Sequence, residues 1–151
     1  MIGLLQRVTQ AEVSVTGETV GHIGRGLVVL VAVHRDDTEK DVARLAERLL
    51  GYRVFPDDAG RMNLSVRDIG GGLLLVPQFT LTADTKKGTR PSFTRGAAPE
   101  KASAFFDRLV ATCRGELATV ETGRFGADMQ VTLTNDGPVT FWLDTRSGSV
   151  T

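Results

Sequence analysis

Residues 26–33, Gly-Leu-Val-Val-Leu-Val-Ala-Val, form an unbroken apolar run rich in valine. It is far short of the ~18 apolar residues a membrane span requires. Gly24 precedes it and His34-Arg35-Asp36-Asp37 follow, so a strand buried on both faces is favoured over a helix. Such a strand lies inside a sheet and needs cover on both sides. A second run of the same kind spans residues 72–76. Residues 2–8 and 11–16 read as strands, and Thr16-Gly17-Glu18-Thr19 turns the chain into residues 20–23 as a hairpin. Residues 52–55 and 61–64 flank the turn Pro56-Asp57-Asp58-Ala59-Gly60, and residues 116–122, 129–134 and 139–143 complete the set of strands.

Only two stretches show helical periodicity. Thr38 is a candidate N-cap with Asp41 three residues on, and Val42, Leu45, Ala46 and Leu49 then share one face, with Gly51 as a left-handed stop. The second helix begins near Pro99, buries Ala102, Phe105, Phe106, Leu109 and Val110, and ends at Gly115. Many strands, two helices and no regular βα alternation predict an α+β fold. The expected architecture is a single domain with a curved, barrel-like, largely antiparallel or mixed sheet and both helices packed on it. Residues 1–143 form that domain, and residues 144–151 a polar, frayed C-terminal tail.

The usual catalytic machinery is missing. His22 and His34 stand alone, and Cys113 is the single cysteine, so neither a disulfide nor a clustered metal site is expected. His34-Arg35-Asp36-Asp37 either holds an ion or is a solvated turn, and its place between strand and helix favours the turn. Cys113 falls in register with Val110 and Phe106, which predicts an inert, half-buried thiol. Gly70-Gly71-Gly72 precedes a strand rather than a helix, so it is a turn and not a phosphate cradle. No Gly-x-Ser-x-Gly elbow occurs, and Ser147-Gly148-Ser149 lies in the tail. No metal and no cofactor are expected. The N-terminal segment lacks the features of a signal peptide, so a cytoplasmic protein without membrane attachment is expected. The 18 basic and 18 acidic residues balance, which argues against coating nucleic acid by bulk charge but allows a local grip.

Three segments stand out. In Val76-Pro77-Gln78-Phe79-Thr80-Leu81, Gln78 and Thr80 would share one face of a strand end with Phe79 on the other. That suits a polar ligand or, equally, a plain edge strand. Thr134-Asn135-Asp136-Gly137-Pro138-Val139-Thr140 reads as a hairpin turn, with more polar and aromatic residues around it than a turn requires. Residues 84–96 carry Lys86, Lys87, Arg90 and Arg95 against one acid, a loop suited to phosphates or simply to solvent.

Taken together, Gln6-Arg7-Val8, Gln78-Phe79-Thr80-Leu81, Arg90-Pro91-Ser92-Phe93, Thr122-Gly123-Arg124-Phe125-Gly126-Ala127-Asp128-Met129 and Asn135-Asp136-Gly137-Pro138-Val139-Thr140 resemble the D-aminoacyl-tRNA deacylase family in order and spacing. The resemblance runs from Met1 to about Leu143. It implies a hydrolase that cleaves the ester of D-aminoacyl-tRNA, and of mischarged glycyl-tRNA, as a proofreading step. It implies a homodimer with active sites at the subunit interface and tRNA as the partner. Gln78, Phe79 and Thr80 would form the catalytic floor. Gly137 and Pro138, joined by a cis peptide, would reach into the partner's pocket and reject L esters with main-chain carbonyls. Arg7 would brace that segment, Phe125 and Met129 would pack near the adenine, and Asn135 and Thr140 would bracket the dipeptide. Lys86, Lys87, Arg90 and Arg95 would meet tRNA phosphates. The family's usual serine before the glutamine is replaced here by Pro77, so no role of that hydroxyl transfers. The rival reading is a non-catalytic nucleic-acid-binding module, which explains the basic loop but not the Gln-Phe-Thr and Gly-Pro segments together.

Overall fold

The computed structural model describes residues 1–146. In chain order the elements are β1 (Ile2–Val15), β2 (Glu18–Ile23), β3 (Gly26–Ala32), α1 (Glu39–Gly51), β4 (Phe55–Pro56), β5 (Met62–Leu64), β6 (Gly72–Pro77), α2 (Pro99–Arg114), β7 (Val120–Thr122) and β8 (Gln130–Asp144). A short 3-10 turn spans Phe79–Thr82.

β1 organises the sheet. Its first half pairs antiparallel with β3, Ile2 against Ala32 through Val8 against Gly26, and its second half pairs with β2, Ala11 against Ile23. β8 runs antiparallel along β1, from Ile2 against Asp144 to Ser14 against Gln130. Residues 2–8 and 11–16, expected as two strands, are therefore nearly all one strand, because β8 bridges the break between β3 and β2. The sheet must bend where β1 passes from one neighbour to the other, and the β8 ladder shifts register there, between Val8 and Gln10. β6 adds to β3 in parallel and β7 to β6 in parallel, with α1 and α2 as the covering crossovers. Curvature brings β2 back against β7. At Gly21 a Cβ would lie 2.4 Å from the Thr122 carbonyl oxygen, so only glycine permits that closure. The result is a mixed, nearly closed, barrel-like sheet with two helices packed on it, as the sequence predicts.

β3 is buried on both faces. Leu27, Val29 and Val31 point to the layer beneath the helices, which includes Leu45, Leu49, Phe106 and Leu109. Val28 points into the barrel with Val8, Val13, Ile23, Leu74 and Val76. Asp41 accepts the backbone N–H of Thr38 at 2.8 Å and caps α1. Gly51 takes no left-handed conformation; extended Tyr52 ends the helix and lays its ring against Phe141 at 5.7 Å. The strand expected over residues 116–122 starts only at Val120, because the N–H groups of Glu116 and Leu117 still bond the Cys113 carbonyl. Cys113 is fully buried rather than half-buried, and burial first, then Glu116, push its thiol up to about 12. No described helix is long and apolar enough to cross a membrane.

The turn after β3 is solvated only in part: Arg35 and Asp36 are exposed, as expected of a solvated turn, while His34 and Asp37 are buried. The Asp37 carboxylate is buried, accepts the His34 N–H at 2.6 Å and pairs with the Met1 amine at 2.9 Å. The Thr145 hydroxyl accepts from the Met1 amine at 2.7 Å and donates to Asp41 at 2.7 Å. The chain is thus anchored at Asp144 and Thr145, and residues 147–151 of the expected tail, with Ser147-Gly148-Ser149, lie outside the described residues. His34 is buried, and among the described residues neither ring nitrogen has a hydrogen-bond partner. Burial, followed by the charge of Arg146, lowers its pKa below the ordinary 6.5, although Asp37 and Asp144 oppose the shift.

The unfolded chain takes up the His34 proton near pH 6.5, the folded chain only at lower pH, so stability falls as pH drops below that value. The expected slope is at most about 1.4 kcal/mol per pH unit. Urea midpoints measured from pH 7.5 to 5 should fall less steeply for His34→Leu than for the parent. Equal slopes would remove His34 as the source.

Candidate active site

A pocket of about 560 Å³ opens at the carboxyl ends of β3 and β6. Pro77, Gln78 and Phe79 enter it from the end of β6, Phe106 from α2, Phe93 from the basic loop, and Phe125 and Met129 from the segment before β8. Among the described residues that line it, none has a titratable side chain. It is an apolar, aromatic cavity with amide and backbone groups at one side, the form of a small-molecule site.

Pro77 fits the end of β6. Gly72 and Gln78 donate their N–H groups to β3-side carbonyls, Arg25 and Val31, while Leu73 donates to Thr119 on the β7 side. By this alternation the Pro77 nitrogen faces β7, where pairing has already ended at Leu75 opposite Thr122. The proline, which has no N–H to offer, therefore stands where the β6–β7 ladder stops, just past the bond from Gly123 to Leu75.

Beyond it the chain tightens instead of continuing as a strand. Gln78 precedes the 3-10 turn, and its Nε2 donates to Thr80 Oγ1 at 2.5 Å. Gln78 and Thr80 do meet, but through the turn rather than through the alternation of a strand. Phe79 is 63% exposed and its ring packs against Phe93 at 5.2 Å. The buried Thr82 hydroxyl donates to the Phe79 carbonyl at 2.8 Å and fixes the turn. As the first residues of a 3-10 turn, Phe79 and Thr80 have no acceptor within it for their backbone N–H groups. Across the pocket, Arg124 N–H reaches Met129 Sδ at 3.3 Å and Gly123 N–H bonds the Leu75 carbonyl at 2.9 Å, which presents Phe125 at the rim.

The Gly-Pro segment departs from the expected hairpin between two strands. β8 is one strand, and Val8 pairs with Asn135 while Gln6 pairs with Thr140, so residues 136–139 bulge out opposite Arg7 alone. Asn135 closes the neck: its Nδ2 donates to Thr140 Oγ1 at 2.9 Å and its Oδ1 accepts Val139 N–H at 3.1 Å. Arg7 Nε donates to the Asp136 carbonyl at 3.1 Å and faces its carboxylate at 3.4 Å, while Nη1 donates to the Val54 carbonyl at 2.7 Å. Gly137 has φ +126, and a Cβ there would meet Val139 at 2.8 Å and Arg7 Nη2 at 3.0 Å. The Gly137–Pro138 peptide is cis, and both residues are exposed.

One protomer does not bring all these residues together. Gln78, Phe79, Phe125 and Met129 line the pocket; Thr80, Arg7, Asn135, Gly137, Pro138 and Thr140 do not, and Thr80 adjoins it only through its hydrogen bond from Gln78. Lys86, Lys87 and Arg90 are exposed on the loop. Arg95 turns inward, with Nη2 on the Ala83 carbonyl at 3.2 Å and Nε buried without a partner among the described residues, which separates it from the other three. Sequence reasoning gave Phe93 and Phe106 no place in the pocket, since one sits in a polar loop and the other follows the helical core pattern.

A folded barrel with a rimmed aromatic pocket and a braced bulge defines an enzyme-like class of single-domain protein. The profile of the family described as D-Tyr-tRNA(Tyr) deacylase matches residues 4–144. A D-aminoacyl-tRNA deacylase of Alkalilimnicola ehrlichii is 64% identical over 97% of both chains, and one of Cronobacter sakazakii 61% identical over 95% of this chain and 99% of its own. A solved structure described as c-Myc DNA unwinding element binding protein superposes with a TM-score of 0.92 at 38% identity, covering 96% of this chain and 99% of the other. A probable eukaryotic D-amino acid tRNA deacylase shares the fold, with a TM-score of 0.79 at 20% identity over 94% and 97% of the two chains. The chain belongs to the D-aminoacyl-tRNA deacylase family.

Removing the Arg7 side chain leaves the Asp136 and Val54 carbonyls without their charged donor. Arg7→Ala should cost about 2 kcal/mol of stability, within the range for hydrogen bonds to charged groups, and should raise amide exchange at Val139 selectively. Hydrogen exchange by NMR and urea unfolding check this; an unchanged bulge would show that Asn135 alone holds it.

Proposed function

We propose that the protein hydrolyses the ester of D-aminoacyl-tRNA, releasing free amino acid and tRNA, as a proofreading step in translation. The observation that carries this reading is the pocket itself: aromatic and amide-lined, without a titratable side chain, in a member of this family. The terminal adenosine stacks against Phe125 and Met129, and the ester lies over Gln78, Phe79 and Thr80. The unpaired N–H groups of Phe79 and Thr80 stabilise the developing oxyanion. Thr80 is not the nucleophile in this reading. Its oxygen accepts the Gln78 amide at 2.5 Å, and no carboxylate or imidazole lines the pocket to take its proton. The attacking water is oriented by the substrate's own vicinal hydroxyl.

The working unit is a homodimer. Among the described strands β8 pairs only with β1, so its other edge is open, and Val131 and Trp142 are exposed on it. The exposed Gly137-Pro138 bulge then serves the partner's pocket, which its own protomer leaves incomplete. Its backbone wall clashes with any L side chain and admits D side chains and glycine. Lys86, Lys87 and Arg90 meet tRNA phosphates, with Arg95 positioning their loop, and the enzyme acts in the cytoplasm.

Heterodimers test the shared site. One protomer carries Gln78→Ala with Phe79→Ala, which disables its pocket; the other carries Pro138→Gly, which loosens its wall. Homodimers of Pro138→Gly should hydrolyse both D- and L-aminoacyl-tRNA. In the heterodimer the intact pocket receives the intact wall, so L hydrolysis should vanish while D hydrolysis persists. Persistence of L hydrolysis in the heterodimer would place the wall and pocket in the same protomer.

A further inference from the structure

A second cleft, of about 830 Å³, lies beside the pocket between the carboxyl half of α2 and the end of β7. Phe106 and Phe125 line both, so the two cavities adjoin at that pair of rings. The cleft differs in chemistry. It holds Arg114 and Arg124 against one carboxylate, Asp107, and is therefore net positive by one charge. Arg114 is locked in place, since Nε and Nη2 both donate to the Val120 carbonyl at 3.3 and 3.2 Å. The exposed Arg124 side chain makes no hydrogen bond or ion pair among the described residues, although its backbone N–H is fixed on Met129.

We infer that this cleft binds the nucleotide immediately preceding the terminal adenosine, with Arg124 and Arg114 on the phosphodiester that joins the two. This rests on the proposed placement of adenosine in the neighbouring pocket. A base held against Phe125 directs its 5′ linkage across the rim that the two cavities share. Single-stranded RNA is held in general by ring stacking combined with guanidinium groups along the backbone. Arg124 follows Gly123, which is pinned to Leu75, and directly precedes Phe125, so the ring and the cation arrive from one short, fixed segment. A net charge of one matches a single phosphodiester rather than a longer stretch of backbone, and Asp107 supplies an acceptor for a ribose hydroxyl, a group RNA offers and DNA lacks. The exposed lysines of the loop carry no part of this contact.

The test uses three D-aminoacyl esters: of adenosine, of cytidylyl-adenosine, and of the same dinucleotide with an uncharged methylphosphonate linkage. The parent protein should prefer the phosphodiester dinucleotide to the adenosine ester by about tenfold or more in kcat/KM, the effect of one hydrogen bond to a charged group. Arg124→Ala should abolish most of that preference, the methylphosphonate should do the same to the parent, and combining the two should cost nothing further. Arg124→Lys should restore part of it. Independent, multiplying losses, or a preference that survives Arg124→Ala, would overturn the assignment. The adenosine ester does not reach the cleft, so insensitivity of its turnover to Phe79→Ala would count against the pocket reading and leave the cleft comparison separate.

Discussion

β1 is hydrogen-bonded along both edges, to β3 and then β2 on one side and to β8 along the other. This double pairing makes the sheet bend, and the bend makes the barrel. It also sets where the ladder to β8 cannot stay in register. Opposite Arg7, β8 carries four residues, three more than β1 accommodates, and these four form the Gly-Pro bulge. A bulge of that size needs its own satisfaction of backbone groups. Asn135 supplies it from within the strand and Arg7 from across it, and the second Arg7 contact, to Val54, ties the bulge to the segment leaving α1. The position of the bulge is thus a consequence of strand pairing rather than of a flexible loop.

The pocket follows from the other end of the same sheet. β3 and β6 end together, with Val31 opposite Pro77, and the chain turns at once into a 3-10 turn whose first two residues, Phe79 and Thr80, have no acceptor within it for their N–H groups. On the proposed function these donors form an oxyanion hole built from backbone, preorganised without any charged group. An aminoacyl ester is already activated and brings a hydroxyl beside the reacting carbon. On the proposed function the protein contributes orientation and electrostatic stabilisation, which need no base of its own.

The fold was legible because its strongest signals are local. The valine run of β3 has to be buried on both sides, and the apolar faces of Val42–Leu49 and Phe105–Val110 admit one reading. What escaped depended on distant partners. Nothing near Thr9 and Gln10 marks a continuous strand, since β8 supplies the continuity from more than a hundred residues away. Nothing near Asn135 separates a turn from a bulge, because the difference lies in what Arg7 holds. The buried state of His34 and Asp37 was hidden in a polar run, where only contact with Met1 distinguishes interior from surface. The site residues were legible as a set through resemblance to a family, whereas Phe93, Phe106 and Arg124 acquire their places only when the barrel mouth is assembled.

The central claim is that the reacting group missing from the protein is present in the substrate. Single-turnover hydrolysis of D-aminoacyl-tRNA ending in 2′-deoxyadenosine, with binding measured separately, tests it most directly. Loss of that hydroxyl should lower the rate of the chemical step by about 100-fold or more, in the range for a positioned proton-transfer group, with little change in binding. Equal rates on the two substrates would contradict the account and return the chemistry to Thr80 and Gln78.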